Sequence, residues 1–148
     1  MKKRVVYATD FSRPSLAAFP AALEAARARG GDLVVLHVLP PPVGPDAMSY
    51  VPARMYDEMK AAVVGQATRR LAALVKRAGK ARVRARAELV EGIPHEEIPR
   101  SARKNRAALV VVGTHGRTGL ARLLMGSVAA RVIGTCPCPV MTIRGTRR

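Results

Sequence analysis

Short, continuously apolar runs alternate along this chain with longer stretches in which apolar residues recur every three or four positions. "RVVYATD", Arg4 to Asp10, is short and β-branched and predicts a first strand. Leu16, Phe19, Leu23 and Ala26 then form one apolar helical stripe, which Ser12 can cap and Gly30-Gly31 ends. Pro14 falls in its first turn, where a missing N–H costs nothing, and Pro20 predicts a kink. Asp32 to Leu39 is nearly all apolar, as expected of a strand covered on both faces. "PPPVGPDAMSYVP" predicts an irregular loop. Met55, Met59, Val63, Ala67, Leu71, Leu74 and Ala78 hold helical spacing, which puts the two methionines in the core, with Gly79 as a stop.

From Arg82, arginines alternate with Val83, Ala85 and Ala87, the period of a strand with one wet face, through Leu89. "GIPHEEIPRSARKNR" predicts a short helix broken near Pro99. Ala107 to Gly113 reads as a fully apolar strand, Ser127 to Ile133 as a helix, and Pro139 to Arg144 as the last strand.

Strands alternating with helices predict an α/β fold, a Rossmann-like five-stranded parallel sheet with helices on both faces. The wholly apolar first, second and fourth strands belong in the middle; the arginine-striped third and the short fifth belong at the edges. The order is then 3-2-1-4-5, and the connections reverse direction between strands one and four. Ligands of such sheets bind beyond the carboxyl ends of the strands at this switch point. Those ends are Thr9-Asp10 and Gly113.

Composition adjusts the picture. The 148 residues, 1–148, suit a single domain, and scarce aromatics make the core aliphatic. The net charge of +16 suggests affinity for phosphates, nucleic acid or anionic surfaces. No Asp or Glu follows Glu97. Cys136 and Cys138, in "CPCP", have neither redox nor zinc spacing and read as buried or half-buried thiols in a reduced compartment. The "KKR" start does not look like a signal peptide, and no apolar stretch approaches a membrane span, so a soluble cytoplasmic protein is expected.

The acid-free third contains "VVVGTHGRTGLARLLMGSVAARV", Val110 to Val132. Gly113, Gly116 and Gly126 would let backbone N–H groups approach phosphate oxygens closely. Gly126-Ser127 would set a helix N-terminus against the anion, and the Ser127 hydroxyl, Arg117 and Arg122 could add donors. The stretch is neither a P-loop nor a dinucleotide fingerprint, so by pattern alone it is a phosphate site or a structural turn.

"GTHGRTGLARLLMGS" fits G-x2-G-x9-G-S and resembles the nucleotide-binding signature of the universal stress protein family, in its ATP-binding branch. "VVYATDFSRPS", "LVVLHVL" and "CPCPVMTIR" resemble that family's first, second and last strands, so the resemblance spans essentially the whole chain. It implies the same fold, similar to the adenine nucleotide alpha hydrolases, and an ATP site, possible Mg²⁺ included. Thr9 and Asp10 would lie at the ribose or adenine side, and the backbone of Val38 would read the adenine edge. Val112 and Gly113 would pack on the ribose, and Gly116, Gly126, Ser127 and Val128 would hold phosphates. The resemblance also implies a homodimer through the last strand, Val140–Arg144, which would cover an apolar edge. One departure is Ala108, where the family often has Asp; the resemblance does not explain the charge either.

The implied role is a nucleotide-dependent switch in stress response, with at most slow hydrolysis, because no catalytic base or carboxylate pair is evident. Asp10 could instead only cap the next helix. His115 could contact phosphate or be a solvated loop residue; His37 reads as a core histidine and His95 as a surface one. Eight basic residues and no acid run from Arg69 to Arg86. They read as solvated faces or as a patch for non-specific nucleic acid, which leaves the alternative of a basic nucleic-acid or partner-binding protein with a vestigial nucleotide site.

Overall fold

The computed structural model describes residues 3–114 and 125–145. Strands β1 (Val5–Ala8), β2 (Leu33–Leu39), β3 (Ala85–Glu91), β4 (Leu109–Gly113) and β5 (Val140–Ile143) form one sheet. Every neighbouring pair is parallel and the order is β3-β2-β1-β4-β5, as the apolar pattern requires. Val5 pairs with Leu33 and with Leu109, and Leu33 pairs with Ala85, so the strand starts lie level.

Because side chains alternate along a strand, the sheet feeds two cores. Val5, Tyr7, Val35 and Val111 point toward helices α2 (Phe19–Ala28) and α4 (Ala53–Lys80), meeting Phe19, Ala22, Leu71 and Leu74. Val6, Val34, Val38 and Val110 point the other way, toward α5 (Pro94–Lys104) and α6 (Ser127–Thr135), meeting Ile98, Ala102 and Val132. Small alanines on the helices let the backbones approach the β-branched strands.

Several expectations are corrected. The first helix is not one kinked rod. It is two helices, α1 (Arg13–Ala17) and α2, parted at Ala18. Pro20 then lies in the first turn of α2, where its missing N–H breaks no bond. Thr9 and Asp10 belong to the turn after β1 rather than to the strand. The proline-rich loop contains one helical turn, α3 (Pro45–Met48). Helix α5 runs unbroken through the buried Pro99.

Met55 and Met59 are exposed, because only the second half of α4, from Ala67, lies on the sheet. Strand β3 starts at Ala85, and its arginine face is not uniformly wet. Glu88, on the same face as Arg86, is buried under α5. Its carboxylate accepts hydrogen bonds from Ser101 Oγ (2.9 Å) and Asn105 Nδ2 (3.1 Å), while Arg86 bonds both Glu88 and the Asn105 amide oxygen. This polar cluster fixes α5 to the sheet edge.

Helices α2, α4 and α5 end in the same turn. A left-handed residue follows each helix, and the next N–H returns to a carbonyl of the last turn: Gly31 to Ala26, Val83 to Ala78, Ala107 to Ala102. The left-handed residues are Gly30 (φ 56°), Arg82 (φ 59°) and Arg106 (φ 50°). Glycine is the expected occupant of this position, and arginine takes it twice.

Candidate functional site

Strand β1 is shorter than its neighbours at the carboxyl end. It stops at Ala8, paired with Leu36, while β2 runs to Leu39 and β4 to Gly113. Thr9 N–H donates to the Leu36 carbonyl, and the two-residue repeat turns the peptide group of Val38 to the same side, past the end of β1. Thr114 N–H donates to Ile143 on β5, so the peptide group of Gly113 faces the β1 side by the same rule. The switch point is thus a gap walled by main-chain donors and acceptors.

The chain closes the bottom of this gap with a tight turn. Phe11 N–H donates to Thr9 Oγ1 and Ser12 N–H to Asp10 Oδ1, both at 2.9 Å. Ser12 Oγ then caps α1 by accepting from Ser15 N–H. Ser15 Oγ donates to the Ser12 carbonyl (3.1 Å), which leaves the Thr9 hydroxyl to donate to Ser15 Oγ (2.8 Å). Behind them the Tyr7 hydroxyl donates to the Ser15 carbonyl at 2.7 Å. Burial pushes that phenol up to about 12, so it stays protonated and the bond persists across ordinary pH. The turn holds Phe11 at φ 64°, a conformation bulky residues avoid. Its ring lies 4.5 Å from the His37 ring, and the Arg70 guanidinium sits above it. His37 Nδ1 is in turn 2.8 Å from the Thr9 carbonyl.

Above the gap, on the α5/α6 face, lies a cleft of about 290 Å³. Leu36, Val38 and Val112 form its apolar floor, and Pro94 and Ile98 of α5 one wall. The other wall is the N-terminus of α6, Ser127 to Ala129, capped by Gly126 with no side-chain hydrogen bond. The first N–H groups of that helix have no intrahelical acceptor, and its first turn carries no acidic residue. A hydrophobic slot beside an electropositive helix end can take a flat apolar group with an anionic tail. A second recess of about 400 Å³ lies on the α4 side, over Phe11 and His37, and shares Asp10, Val38 and Pro94 with the first.

The cleft brings together Thr9, Asp10, Val38, Val112, Gly113, Gly126, Ser127 and Val128. His115, Gly116 and Arg117, like Arg122, lie outside the described residues. Gly113 lines the cleft and also has a packing role. A Cβ there would stand 2.8 Å from the Pro14 carbonyl oxygen and 3.1 Å from Ser15 Cα, so glycine is required where α1 crosses β4. Ser12, not Asp10, is the N-cap of α1; Asp10 accepts from the Ser12 N–H in the preceding turn and lines the cleft. His37 is buried, as expected, and His95 is half-buried, its Nε2 3.1 Å from Arg131 Nη1.

Pattern reading missed Pro94 and Ile98. They belong to the third crossover, and nothing local says that its first turn leans over the second strand. Both cysteines are half-buried at the end of α6, outside any disulfide, and burial pushes the Cys136 thiol up to about 11. Among the described residues there is no cluster of three His, Cys, Asp or Glu side chains for a metal, and no helix is long and apolar enough to cross a membrane.

Comparison with known proteins agrees with the fold. A structure of the Methanocaldococcus jannaschii protein MJ0577 superposes with a TM-score of 0.85 at 26% identity, covering 100% of this chain and 99% of that one. A universal stress protein from Archaeoglobus fulgidus, solved in complex with dAMP, has a TM-score of 0.66 at 24% identity, covering 97% and 98%. Another universal stress protein, solved with cAMP, has a TM-score of 0.65 at 24% identity, covering 97% of each chain. In sequence, universal stress protein MJ0531 of M. jannaschii is 34% identical over 99% of this chain and 84% of its own length. The Bacillus subtilis universal stress protein YxiE is 30% identical over 97% of this chain and its whole length. The model of the universal stress protein family matches residues 1–144, and the chain belongs to that family.

Proposed function

We propose that the cleft binds ATP and that its occupancy works as a switch in a stress response, with hydrolysis at most slow. The observation that carries this reading is the junction of an apolar slot with the N-terminus of α6 at the sheet's switch point. Adenine fits between Val38 and Ile98, where the Val38 peptide group can pair with its edge. Asp10 would meet the ribose or the adenine side, and Gly126, Ser127 and the α6 N–H groups would hold phosphate. His115, Gly116 and Arg117 complete the phosphate side by the sequence signature. Mg²⁺, where present, is carried by the triphosphate and water rather than by a protein cage. Without a placed base for water, ATP is held more than it is cleaved.

Two solved structures of this fold carry adenine monophosphates, which sets the competitors. A fluorescent ATP analogue bound to the protein should be displaced by ATP, and less well by AMP and cAMP, which lack two phosphates. Gly126→Val, which puts a branched side chain at the α6 cap, should weaken binding more than about tenfold, or ~1.4 kcal/mol. Equal displacement by GTP would defeat the adenine assignment. Dimerisation through Val140–Arg144 belongs to the same reading. It is supported by Met141, which is exposed, and the partly buried Val140 and Ile143 on the edge strand β5. Light scattering at micromolar concentration should give twice the chain mass of 15.8 kDa.

A further inference from the structure

Parallel strands and returning helices collect all the helix-to-strand turns at one end of the sheet, opposite the cleft. That end is intensely basic. Lys3 and Arg4 precede β1, and Arg27 and Arg29 precede β2. Lys80, Arg82 and Arg84 precede β3; Arg103, Lys104 and Arg106 precede β4. Except for the half-buried Arg4, these side chains are exposed. Asp32 is the single carboxylate in these segments, and Arg84 holds it at 2.6 Å. That contact lowers the Asp32 pKa and keeps it ionised. Lys104 lies 3.7 Å from Glu88. The other basic groups have no carboxylate partner among the described residues. Most of the acids are elsewhere: Asp10, Asp46, Asp57 and Glu58, then Glu91, Glu96 and Glu97, fall in segments at the cleft end, while Glu24 lies within α2, one turn before Arg27.

Compensation of helix C-termini accounts for Arg27, Lys80, Arg103 and Lys104, which lie in last turns. Arg4 donates to the carbonyl of Asn105 at the end of α5 (3.1 Å), which leaves Lys3, Arg82 and Arg106 without that explanation. Arg82 and Arg106 occupy left-handed positions that glycine fills at no conformational cost, as Gly30 does in the third such turn. At Arg82 and Arg106 charge is therefore placed against local backbone preference, with no carboxylate partner among the described residues.

We infer that this end is a docking surface for the phosphate backbone of a nucleic-acid duplex. Seven of these ten basic groups are arginines, suited to forked bonds with phosphate. The three turns and the segment before β1 stand side by side in the order of β3, β2, β1 and β4, an array about 15 Å across from the strand spacing. That is close to a major-groove width of about 12 Å, so flexible side chains reach phosphates on both lips. The chemistry also argues against a membrane and against single strands. The exposed large apolar residues, from Met48 to Met141, all lie outside these segments, so nothing there would anchor in a membrane. No aromatic residue lies there either, so unpaired bases have nothing to stack on. Binding is sequence-independent and leaves the nucleotide cleft open.

The test is fluorescence anisotropy of a short labelled DNA duplex across a salt series, with the full chain. The wild type should bind at low salt and weaken linearly in log salt. Arg82→Gly with Arg106→Gly relieves two left-handed residues, so it should fold at least as well by thermal melting. It should weaken binding several-fold and flatten the salt slope by about 2. Arg54→Gln with Lys60→Gln removes the same charge at the cleft end and should leave binding nearly unchanged. Equal loss in both pairs would mean net charge alone attracts DNA and would overturn the surface. So would tighter binding of single strands, or binding to anionic lipid vesicles without binding to the duplex. Calorimetry with ATP on the same arginine variant separates the readings, since its nucleotide affinity should not change.

Discussion

Gly113 and Gly79 put the packing at the switch point to a direct test. Neither lies in the left-handed region, so alanine should gain about 0.4–1 kcal/mol at either place by restricting the unfolded chain. What differs is the space. A Cβ at Gly79, near the end of α4, meets nothing within 4 Å. A Cβ at Gly113 would meet Pro14 O at 2.8 Å and Ser15 Cα at 3.1 Å, both backbone. They can yield only if α1 moves, and overpacking of this kind costs about 1–3 kcal/mol. The net expectation is that Gly79→Ala raises stability by about 0.5–1 kcal/mol, while Gly113→Ala lowers it by about 1–2 kcal/mol. For a chain of this size that is a Tm rise of about 1–4 °C against a fall of about 2–8 °C. Differential scanning calorimetry reads both. The displaced α1 carries the turn that orients Asp10, so nucleotide affinity should fall for Gly113→Ala only. An unchanged or raised Tm in Gly113→Ala would refute the close crossing of α1 over β4.

Other perturbations separate further parts of the account. Burial alone would raise the Glu88 pKa, but hydrogen bonds from Asn105 and Ser101 and the Lys104 and Arg86 cations outweigh it and hold it below 4.5. A depressed folded pKa means stability present above the unfolded value and lost as pH falls through the folded one. Glu88→Gln should therefore flatten the acid limb of a urea-stability profile below about pH 4.5, and a limb as steep as wild type would count against it. Glu88→Ala should cost about 3–5 kcal/mol, since the Arg86 and Asn105 cluster then lacks its centre. Tyr7→Phe should cost about 0.5–1.5 kcal/mol by urea titration, because it removes one buried hydrogen bond while the Ser15 carbonyl keeps the Ala18 N–H. Cys136, pushed up to about 11, should alkylate with iodoacetamide far more slowly than glutathione near neutral pH, and comparable rates would show that it is not shielded.

Strand order was legible because burial on two faces leaves an unbroken apolar run. Val34 to Leu36 and Val110 to Val112 announce central strands, and the arginines near β3 announce an edge. Whatever depends on how one element lies on another was not legible. Met55 and Met59 keep the core period of α4, yet the helix outruns the sheet and leaves them exposed. Glu88 looks like a solvated residue until α5 arrives over it. Gly113 reads in sequence only as part of a glycine-rich loop; the crossing of α1 that its missing Cβ permits shows only with the Pro14 carbonyl in place. Likewise the basic residues near Arg82 read as a local run, and only the sheet shows that they join those near Lys3, Arg29 and Arg106.

The central claim is that the cleft between β1, β4 and α6 holds an adenine nucleotide. It is tested most directly by isothermal titration of nucleotide-stripped protein with ATP and Mg²⁺. One site per chain with micromolar affinity, about −8 kcal/mol, is the predicted result, with the heat lost in Gly126→Val. No binding below millimolar ATP in a protein that melts cooperatively would contradict it, and would leave the glycine loop a structural turn.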